Sequence, residues 1–269
     1  MRVLYIVGLG RSGSTLVDIL LDSHSRISSP GGVRRLAKYA AARACACGAP
    51  RFRDCAHWSA IERSLQQRIG CSLTEVDVHS RRRDVFAAHN RAVFEAVADV
   101  AGVDVVVDNS KSVGRLRDLM RRSDLEILPI HVMRDPRGRA RSLRKRGSHG
   151  VIPTLTYSHR SLRIFALLRK RNHVVVDYDR LAAEPRAELG KLMARLGLAF
   201  EERQLAWAEQ VHHNIGAADV MRGTEGSRIR PDNASGRAMP FGIRLLVDSL
   251  AWPGRIANAA KERRWGLGR

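Results

Sequence analysis

The segment that most constrains the fold is the start of the chain, VLYIVGLGRSGSTLVDILL from Val3. Residues 3–7 are an apolar, β-branched run that predicts a strand, and residues 16–21 have the apolar content of a helix. Between them lies a glycine- and serine-rich turn at residues 8–15. A strand that enters a helix through such a turn gathers backbone N–H groups and the positive end of the helix dipole around one point, where an anion binds. The alternative is a tight turn in which glycine serves only the backbone angles.

The turn differs at one position from the loop that binds nucleoside triphosphates. The pattern GxxxxGK[ST] places a lysine against the β- and γ-phosphates of ATP, whereas this chain has Gly8 and Gly13 at the right spacing but Ser14 in the lysine position. We therefore expect the turn to bind phosphate oxygens without the geometry of a γ-phosphate. The side chains that it offers are a cation and three hydroxyls: Arg11, Ser12, Ser14 and Thr15.

Further apolar, β-branched runs at residues 103–107, 127–132 and 174–176 alternate with helical patterns. Such alternation predicts parallel strands joined by crossover helices. The predicted fold class is α/β, a three-layer sandwich whose central parallel sheet of about four to five strands is flanked by helices. The helices are expected at residues 16–21, 82–100, 113–120, 137–145, 155–170 and 186–196.

We expect one domain over residues 1–269, since the chain is long enough to bury a sizeable core. Residues 28–75 predict a helical excursion, and residues 216–239, poor in apolar periodicity, predict a long loop. Residues 240–269 predict a C-terminal helix. This helix either lies on a membrane surface or packs against the core, and packing is favoured because Pro253 interrupts its apolar run.

The chain is strongly basic, with 47 lysines and arginines, 27 aspartates and glutamates, and a formal net charge of +20. Such a surplus favours anionic partners, unless it only decorates solvated helix faces. The basic residues are spread along the whole chain and only 5% of residues are aromatic, which disfavours nucleic acid. The apolar run at residues 3–7 is too short for a signal peptide, and no apolar stretch is long enough to span a membrane. We expect a cytoplasmic protein with no transmembrane segment.

Two later segments also end strands with polar residues. The segment VVVDNSK, residues 105–111, delivers Asp108 and Lys111 to the carboxyl end of a strand, where open α/β sheets bind ligands. Asp108 also resembles a magnesium-binding carboxylate of a kinase, and Lys111 is alternatively a solvated loop lysine. The segment HVMRDPRGRARSLRKR, residues 131–146, places Arg134 at a strand end and Ser142 in the following helix, and both side chains can donate to a phosphate. Alternatively its arginines line an exposed helix, as expected for Arg144 and Arg146.

Three motifs together resemble the sulfotransferase family that uses 3′-phosphoadenosine 5′-phosphosulfate (PAPS), especially its bacterial members with their P-loop-like fold. They are GRSGSTL at residues 10–16, DNSK at 108–111 and RDPRGRARS at 134–142. The cysteine- and tryptophan-containing segment at residues 44–58 and VVVDYDRLAAEP at residues 174–185 are also similar to segments of the bacterial members. The resemblance extends from residue 3 to about residue 235.

The resemblance implies sulfuryl transfer from PAPS to a hydroxyl of a small-molecule, carbohydrate or lipid acceptor. The turn would hold the phosphosulfate, Arg134 and Ser142 the 3′-phosphate, and Tyr178 would lie near the adenine. Arg11, helped by Lys111, would stabilise the leaving phosphate without a metal. The residues implied to bind the donor are Arg11, Ser12, Gly13, Ser14, Thr15, Arg134, Ser142 and Tyr178. The alternatives are a kinase-like phosphotransferase, favoured by the GxxxxG spacing and by Asp108, and a non-catalytic basic module that binds nucleic acid or anionic lipid.

The chain departs from the family where a catalytic base is expected. The bacterial members often have a glutamate after the first helix, and the matching position in SSPGGVRRL is Gly32. A histidine can substitute, since its proton affinity is near neutral pH, or an acceptor that is already ionised needs little base. The sequence does not choose among the candidates His24, His57, His79, His149, His159 and His213.

Cys45, Cys47, Cys55 and His57 form a compact group that can bind zinc, with Cys71 as a further thiol. The alternative is reduced cysteines packed in the helical excursion beside the acceptor pocket. Disulfides are not expected in a cytoplasmic protein. The sequence leaves open the zinc question, the acceptor and the oligomeric state.

Overall fold

The structure is a computed structural model that describes residues 1–144, 151–215, 229 and 241–264. The strand–turn–helix predicted at the start of the chain is present. The strands are β1 (Arg2–Gly8), β2 (Ile27–Ser28), β3 (Val105–Asp108), β4 (Glu126–Met133) and β5 (Val174–Asp177). The helices are α1 (Ser14–Asp22), α2 (Leu36–Ala42), α3 (Ala56–Ile69), α4 (Arg83–Ala101), α5 (Val113–Arg122), α6 (Pro136–Arg144), α7 (Val151–Leu168), α8 (Tyr178–Ala183), α9 (Pro185–Leu196) and α10 (Phe241–Arg264).

The five strands form one sheet in the order β2-β3-β1-β4-β5. β1 pairs with β3, β2 with β3 and β4 with β5, all in parallel. The buried strands are predominantly apolar, as expected when both faces of a parallel sheet are covered by helices. The predicted fold class is therefore confirmed as an α/β three-layer fold.

The chain divides into two compact units. The first unit holds residues 1–6, 15–129 and the described residues within 200–227, and the second holds residues 7–14, 130–199 and the described residues within 228–269. The boundary falls inside the glycine-rich turn, so that the turn belongs to the second unit and nearly all of α1 to the first. The single-domain organisation stays a prediction.

In the first unit a buried ion pair fixes the end of β3. Arg115 Nε lies 3.0 Å from Asp108 Oδ2, and the two side chains are 2% and 0% exposed. The guanidinium also donates to Val78 O at 3.0 Å and to Asn90 Oδ1 at 2.7 Å. A buried pair of charges is tolerated when further hydrogen bonds satisfy both partners, as they do here.

In the second unit α10 packs against α7. Asn258 Nδ2 donates to Tyr157 Oη at 3.1 Å, and a Cβ added to Gly254 would lie 2.9 Å from Tyr157 Cε1, so the helices approach closely at this glycine. This contact is of the kind that the sequence favours for the C-terminal helix. Pro253, expected to interrupt the run, lies inside the helix. The face away from α7 leaves large apolar side chains exposed: Leu245, Trp252 and Ile256.

Residues 28–75, predicted as a helical excursion, include α2 and α3. The short β2 and α8 were not predicted from the sequence. The expected loop at residues 216–239 lies outside the described residues, as do Arg146 and His149. Among the helices of the described residues, none combines the length and apolarity that crossing a bilayer requires.

Candidate active site

The glycine-rich turn in the second unit is built around contacts that exclude side chains. Gly13 has φ +88°, and a Cβ there would lie 1.8 Å from Tyr178 Cδ2. A Cβ at Gly8 would lie 2.7 Å from the backbone oxygen of Val132 on β4. The two glycines are therefore required by close approach to β4 and to the Tyr178 ring, and not by backbone angles alone.

Two residues other than glycine have positive φ in the described part of the chain, Arg11 at 71° and Lys111 at 58°. A side chain in this left-handed conformation costs free energy, and such strained residues cluster at functional sites. These are the two residues that the sequence predicts as catalytic.

Arg11 contacts the helix that carries Ser142, another predicted phosphate ligand. Its Nε donates to Ser142 Oγ on α6 at 2.9 Å. Arg134 Nη1 donates to the backbone oxygen of Arg11 at 3.2 Å. The second unit thus brings together three of the predicted donor-binding residues, two of them cations.

Tyr178 joins the turn to Arg134. The guanidinium carbon of Arg134 lies 4.5 Å from the centroid of the tyrosine ring, a cation–π contact, and the same ring covers Gly13. Tyr178 is positioned by the end of β5, because Asp177 accepts hydrogen bonds from Asp179 N at 2.8 Å and Arg180 N at 3.2 Å and so caps α8. Its predicted place near the adenine stays a prediction.

The arginines of α6 have different partners. Arg137 forms two hydrogen bonds of 2.7 and 2.6 Å with Asp248 of α10. Arg139 Nε donates to the backbone oxygen of Gly10 at 3.0 Å. Burial and the nearby Arg160 lower the pKa of Arg139 to about 10. Arg139 and Arg141 are buried, so the alternative that the arginines of this segment line an exposed helix does not hold for these two.

In the first unit Lys111 reaches the first turn of α1. Its Nζ donates to Thr15 Oγ1 at 3.4 Å, and its backbone N donates to Ile6 O of β1 at 3.3 Å. A lysine from the end of β3 therefore lies at the helix start, next to the position where a triphosphate loop carries its own lysine. The sequence shows both residues but not that they meet.

Asp108 is engaged in holding the segment around Lys111. Its Oδ2 pairs with Arg115, while its Oδ1 accepts from Val33 N at 3.3 Å and Ser110 N at 2.9 Å. Both carboxylate oxygens have partners within the protein, which disfavours the magnesium-binding role considered from the sequence.

Asp18, on α1, is a buried polar residue that sequence reasoning missed. It accepts hydrogen bonds from Ser29 Oγ at 2.5 Å, Asn109 Nδ2 at 2.9 Å and Asn214 Nδ2 at 3.4 Å. Burial raises the pKa of Asp18 to about 7. The one signal available in the sequence was an aspartate within the apolar run of α1.

Gly32, where a base was expected, lies against the segment that carries Lys111. A Cβ at Gly32 would be 3.3 Å from Asn109 O, and Arg34 N donates to Ser110 Oγ at 2.9 Å. His79 Nε2 lies 2.8 Å from the backbone oxygen of Arg34. We call residues 28–36 the Gly32 segment. Among the candidate histidines whose contacts are described, His79 is the one that contacts this segment.

The other described candidates have different surroundings. His24 Nε2 lies 3.4 Å from Glu201 Oε1, and His159 is exposed on α7. His57 stacks on His213 with ring centroids 4.3 Å apart, and burial together with His213 lowers the pKa of His57 to about 4.

The cysteines of the excursion meet a histidine, but not the expected one. The ligand atoms of Cys45, Cys47, Cys55 and His213 all lie within 4.8 Å of one another. His57, the histidine expected from the sequence, is not one of these four residues, and its ring stacks on that of His213. His213 is 158 residues from Cys55, and no spacing rule connects them.

Comparison with known proteins also indicates a sulfotransferase. A model of the sulfotransferase family matches residues 4–202. The chain is similar in structure to the sulfotransferase domain of the Synechococcus PCC 7002 olefin synthase, with 20% identity, coverage of 94% of each chain and a TM-score of 0.58. It is also similar to the sulfotransferase domain from the curacin biosynthetic pathway, with 15% identity, coverage of 93% of this chain and 95% of that chain, and a TM-score of 0.58. At these identities the two structures show the fold. A comparison with curated proteins found no match.

Proposed function

This chain belongs to the sulfotransferase family and is a transferase of sulfuryl groups; we propose that PAPS, the donor general to the family, supplies the group. The acceptor is a hydroxyl of a small molecule, a carbohydrate or a lipid. The observation that carries the proposal is the direct hydrogen bond between Arg11 and Ser142, with Arg134 bound to the same loop.

The second unit fits the phosphates of this donor. Two guanidinium groups and a hydroxyl lie together at the turn, and Arg139, whose pKa is lowered, adds a further buried cation. Ser12 Oγ is buried and has no hydrogen-bond partner among the described residues. A phosphate oxygen of the donor would satisfy this hydroxyl. We assign Arg11, Arg134 and Ser142 to the 3′-phosphate, because charge-assisted hydrogen bonds to phosphate are the strong ones. The contact with Ser142 favours this role for Arg11 over the leaving-group role predicted from the sequence.

Lys111 is assigned to the leaving group. When bound, PAPS supplies a sulfuryl group whose transfer to the acceptor oxygen leaves negative charge on the 5′-phosphate. Lys111 and the N–H groups at the start of α1 are cationic and dipolar groups that stabilise such charge without reorganisation. The ion pair of Asp108 with Arg115 and the strained backbone of Lys111 hold this cation in place.

His79 is assigned as the base that replaces the family's glutamate. Its Nε2 lies against a backbone oxygen, and a carbonyl only accepts, so Nε2 carries the proton and Nδ1 keeps its lone pair. Gly32, which occupies the position of that glutamate, has no side chain that could act as a base. General-base catalysis contributes about 10²–10⁴-fold to a rate.

The acceptor's acidity tests this base. We expect His79→Gln to slow sulfation of a simple alcohol strongly and of a nitrophenol little, because the phenol is already largely ionised. His159→Gln, which removes an exposed histidine of α7, serves as the control. Equal losses for both acceptors would show that His79 does not take the proton.

A cytoplasmic location fits four cysteines that are free of disulfides. The bacterial origin implied by the motifs stays a prediction.

Thermal melting with adenosine 3′,5′-bisphosphate tests the donor. A ligand at 100 times its Kd that binds only the folded state adds about 2.7 kcal/mol to the free energy of unfolding, so Tm should rise clearly without added metal. ATP with Mg²⁺ should give the smaller shift. A larger shift with ATP, or activity that needs Mg²⁺, would favour the kinase-like alternative. Binding that falls steeply with salt and ignores the bisphosphate would favour the basic module.

A further inference from the structure

The first unit contains a cluster of soft ligand atoms that sulfuryl transfer does not use. The cluster consists of Cys45, Cys47, Cys55 and His213, and we call it the Cys3His cluster. Two of its cysteines follow α2, the third precedes α3, and the histidine comes from the segment after α9. Cys45 and Cys55 are buried and Cys47 is exposed, which leaves a path from solvent.

The separations within the Cys3His cluster match a tetrahedral zinc site. With Zn–S near 2.3 Å and Zn–N near 2.0–2.1 Å, a tetrahedron separates two sulfurs by about 3.8 Å and a sulfur from the nitrogen by about 3.6 Å. Here Cys47 Sγ and Cys55 Sγ are 3.7 Å apart. His213 Nδ1 lies 3.6 Å from Cys45 Sγ and 3.3 Å from Cys55 Sγ. Three of the six pairs are therefore close to the separations of a tetrahedral site, and all four ligand atoms lie within 4.8 Å of one another.

The chemistry of the ligands selects the metal. Three thiolates and an imidazole prefer Zn²⁺ over the oxygen-seeking Mg²⁺ and Ca²⁺. Cys47 and Cys55, with sulfurs 3.7 Å apart, are free thiols in this structure and so can act as metal ligands. A site with four protein ligands leaves no position for substrate, so the metal would be structural.

The surroundings of the cluster hold its ligands in place. Trp58 Nε1 donates to the backbone oxygen of His213 at 2.9 Å, and the His57 ring stacks on the His213 ring. The turn that carries Cys45 and Cys47 is closed by a hydrogen bond from Cys45 N to Ala49 O of 2.9 Å. Outer contacts of this kind orient metal ligands and are part of a metal site.

We propose that the Cys3His cluster binds one structural Zn²⁺ that ties the excursion to the segment carrying His213. That segment also contacts the region next to Gly32. Asn214 Nδ2 lies 3.4 Å from Asp18 Oδ2, and Ile215 N donates to Pro30 O at 2.8 Å. The metal therefore holds two parts of the chain near Gly32. One is the excursion, and the other is the segment that carries His213 and contacts Pro30. This proposal does not depend on the identity of the donor or of the acceptor.

Metal analysis of protein purified without metal-affinity chromatography or chelators tests the proposal. We expect about one zinc per chain, since structural zinc sites bind tightly. His213→Asn and Cys47→Ser should lose most of it. Cys71→Ser removes a cysteine outside the cluster and should keep it, as should His57→Asn. Zinc lost from His57→Asn but kept in His213→Asn would overturn the assignment of the fourth ligand.

Measurements on the unsubstituted protein cover the case in which the ligand variants do not fold. Removal of zinc with a strong chelator should lower Tm, and added Zn²⁺ should restore it. Replacement by Co²⁺ should give the thiolate charge-transfer and intense visible bands of a tetrahedral site. Protein that purifies without zinc, gains no such bands and shows a chelator-independent Tm would refute the proposal. The bisphosphate-induced rise in Tm, measured on the same samples, reports separately on the proposed donor.

Discussion

The two units carry their functional residues in different ways. In the second unit Arg11 and Ser142 are 131 residues apart, yet each stands in a motif that by itself suggests phosphate binding. In the first unit His213 is 158 residues from Cys55 and stands in no pattern that suggests a metal. A long-range contact can thus be anticipated when each of the two residues lies in a sequence motif that suggests the same ligand. When one residue lies in no such motif, only the folded chain shows the pairing.

The two strained residues sharpen this contrast. Arg11 and Lys111 both have positive φ, but Arg11 contacts Ser142 in the second unit, while Lys111 contacts Thr15 in the first. From the sequence, both residues are predicted to stabilise the leaving phosphate. These different contacts are the reason why we propose Arg11 as a ligand of the 3′-phosphate and Lys111 as a stabiliser of the leaving group.

Lys111→Ala has the largest expected effect and tests that separation. Removing one group that stabilises developing negative charge costs about 10²–10³ in kcat, so we expect a loss of this size. The rise in Tm given by adenosine 3′-monophosphate, which lacks the 5′-phosphate that Lys111 is proposed to stabilise, should change little. Arg11→Ala should do the reverse, weakening the Tm shift more than kcat. If both variants lose the Tm shift and kcat to the same extent, the two cations act together and the separation fails.

Gly13→Ala tests whether the turn is shaped by its contact with Tyr178. The new Cβ would collide with the tyrosine ring at 1.8 Å and would occupy a backbone with φ +88°. Such overpacking typically lowers the free energy of unfolding by about 1–3 kcal/mol, and bisphosphate binding should be lost. Adding Tyr178→Ala should recover the part due to collision, which denaturant unfolding of the four-member cycle measures. No recovery would assign the whole effect to the backbone.

Arg134→Ala and Ser142→Ala test the phosphate ligands of the second unit. Hydrogen bonds to charged groups contribute about 1.5–3 kcal/mol, so calorimetry should show bisphosphate affinity falling by roughly tenfold or more. Arg137→Ala is the matched control, because this arginine of the same helix pairs with Asp248. The control should lower Tm and keep the affinity. An equal loss of affinity in the control would show that helix charge, and not specific contact, binds the donor.

The smallest expected effect concerns the backbone of Arg11. Arg11→Gly should leave the protein more stable than Arg11→Ala by about 0.5–1 kcal/mol, since glycine adopts positive φ without strain. Both variants lack the guanidinium, so any difference in Tm reports the conformation alone. Equal stability of the two would mean that the turn relaxes when the Arg11–Ser142 contact is absent.

Much of the fold was predictable because its elements are locally encoded. β1, β3, β4 and β5 are apolar runs, and the long helices have a periodic apolar face, so secondary structure followed from patterns within single segments. β2 was missed because two residues carry no such pattern. Pro253 was misjudged because helix packing tolerates a proline that local preference disfavours.

By itself the sequence determined the α/β class, the family motifs, the positive charge and the identity of the cations, since each of these is a property of residues close together in the chain. Only the tertiary structure decided that Arg11 contacts Ser142 and that Lys111 contacts the first turn of α1. It also decided that Asp108 forms an ion pair with Arg115. Beside the cysteines it placed His213 instead of His57. The physical reason is that side-chain partners are chosen by the packing of distant segments, where burial and geometry decide among several chemically equivalent residues.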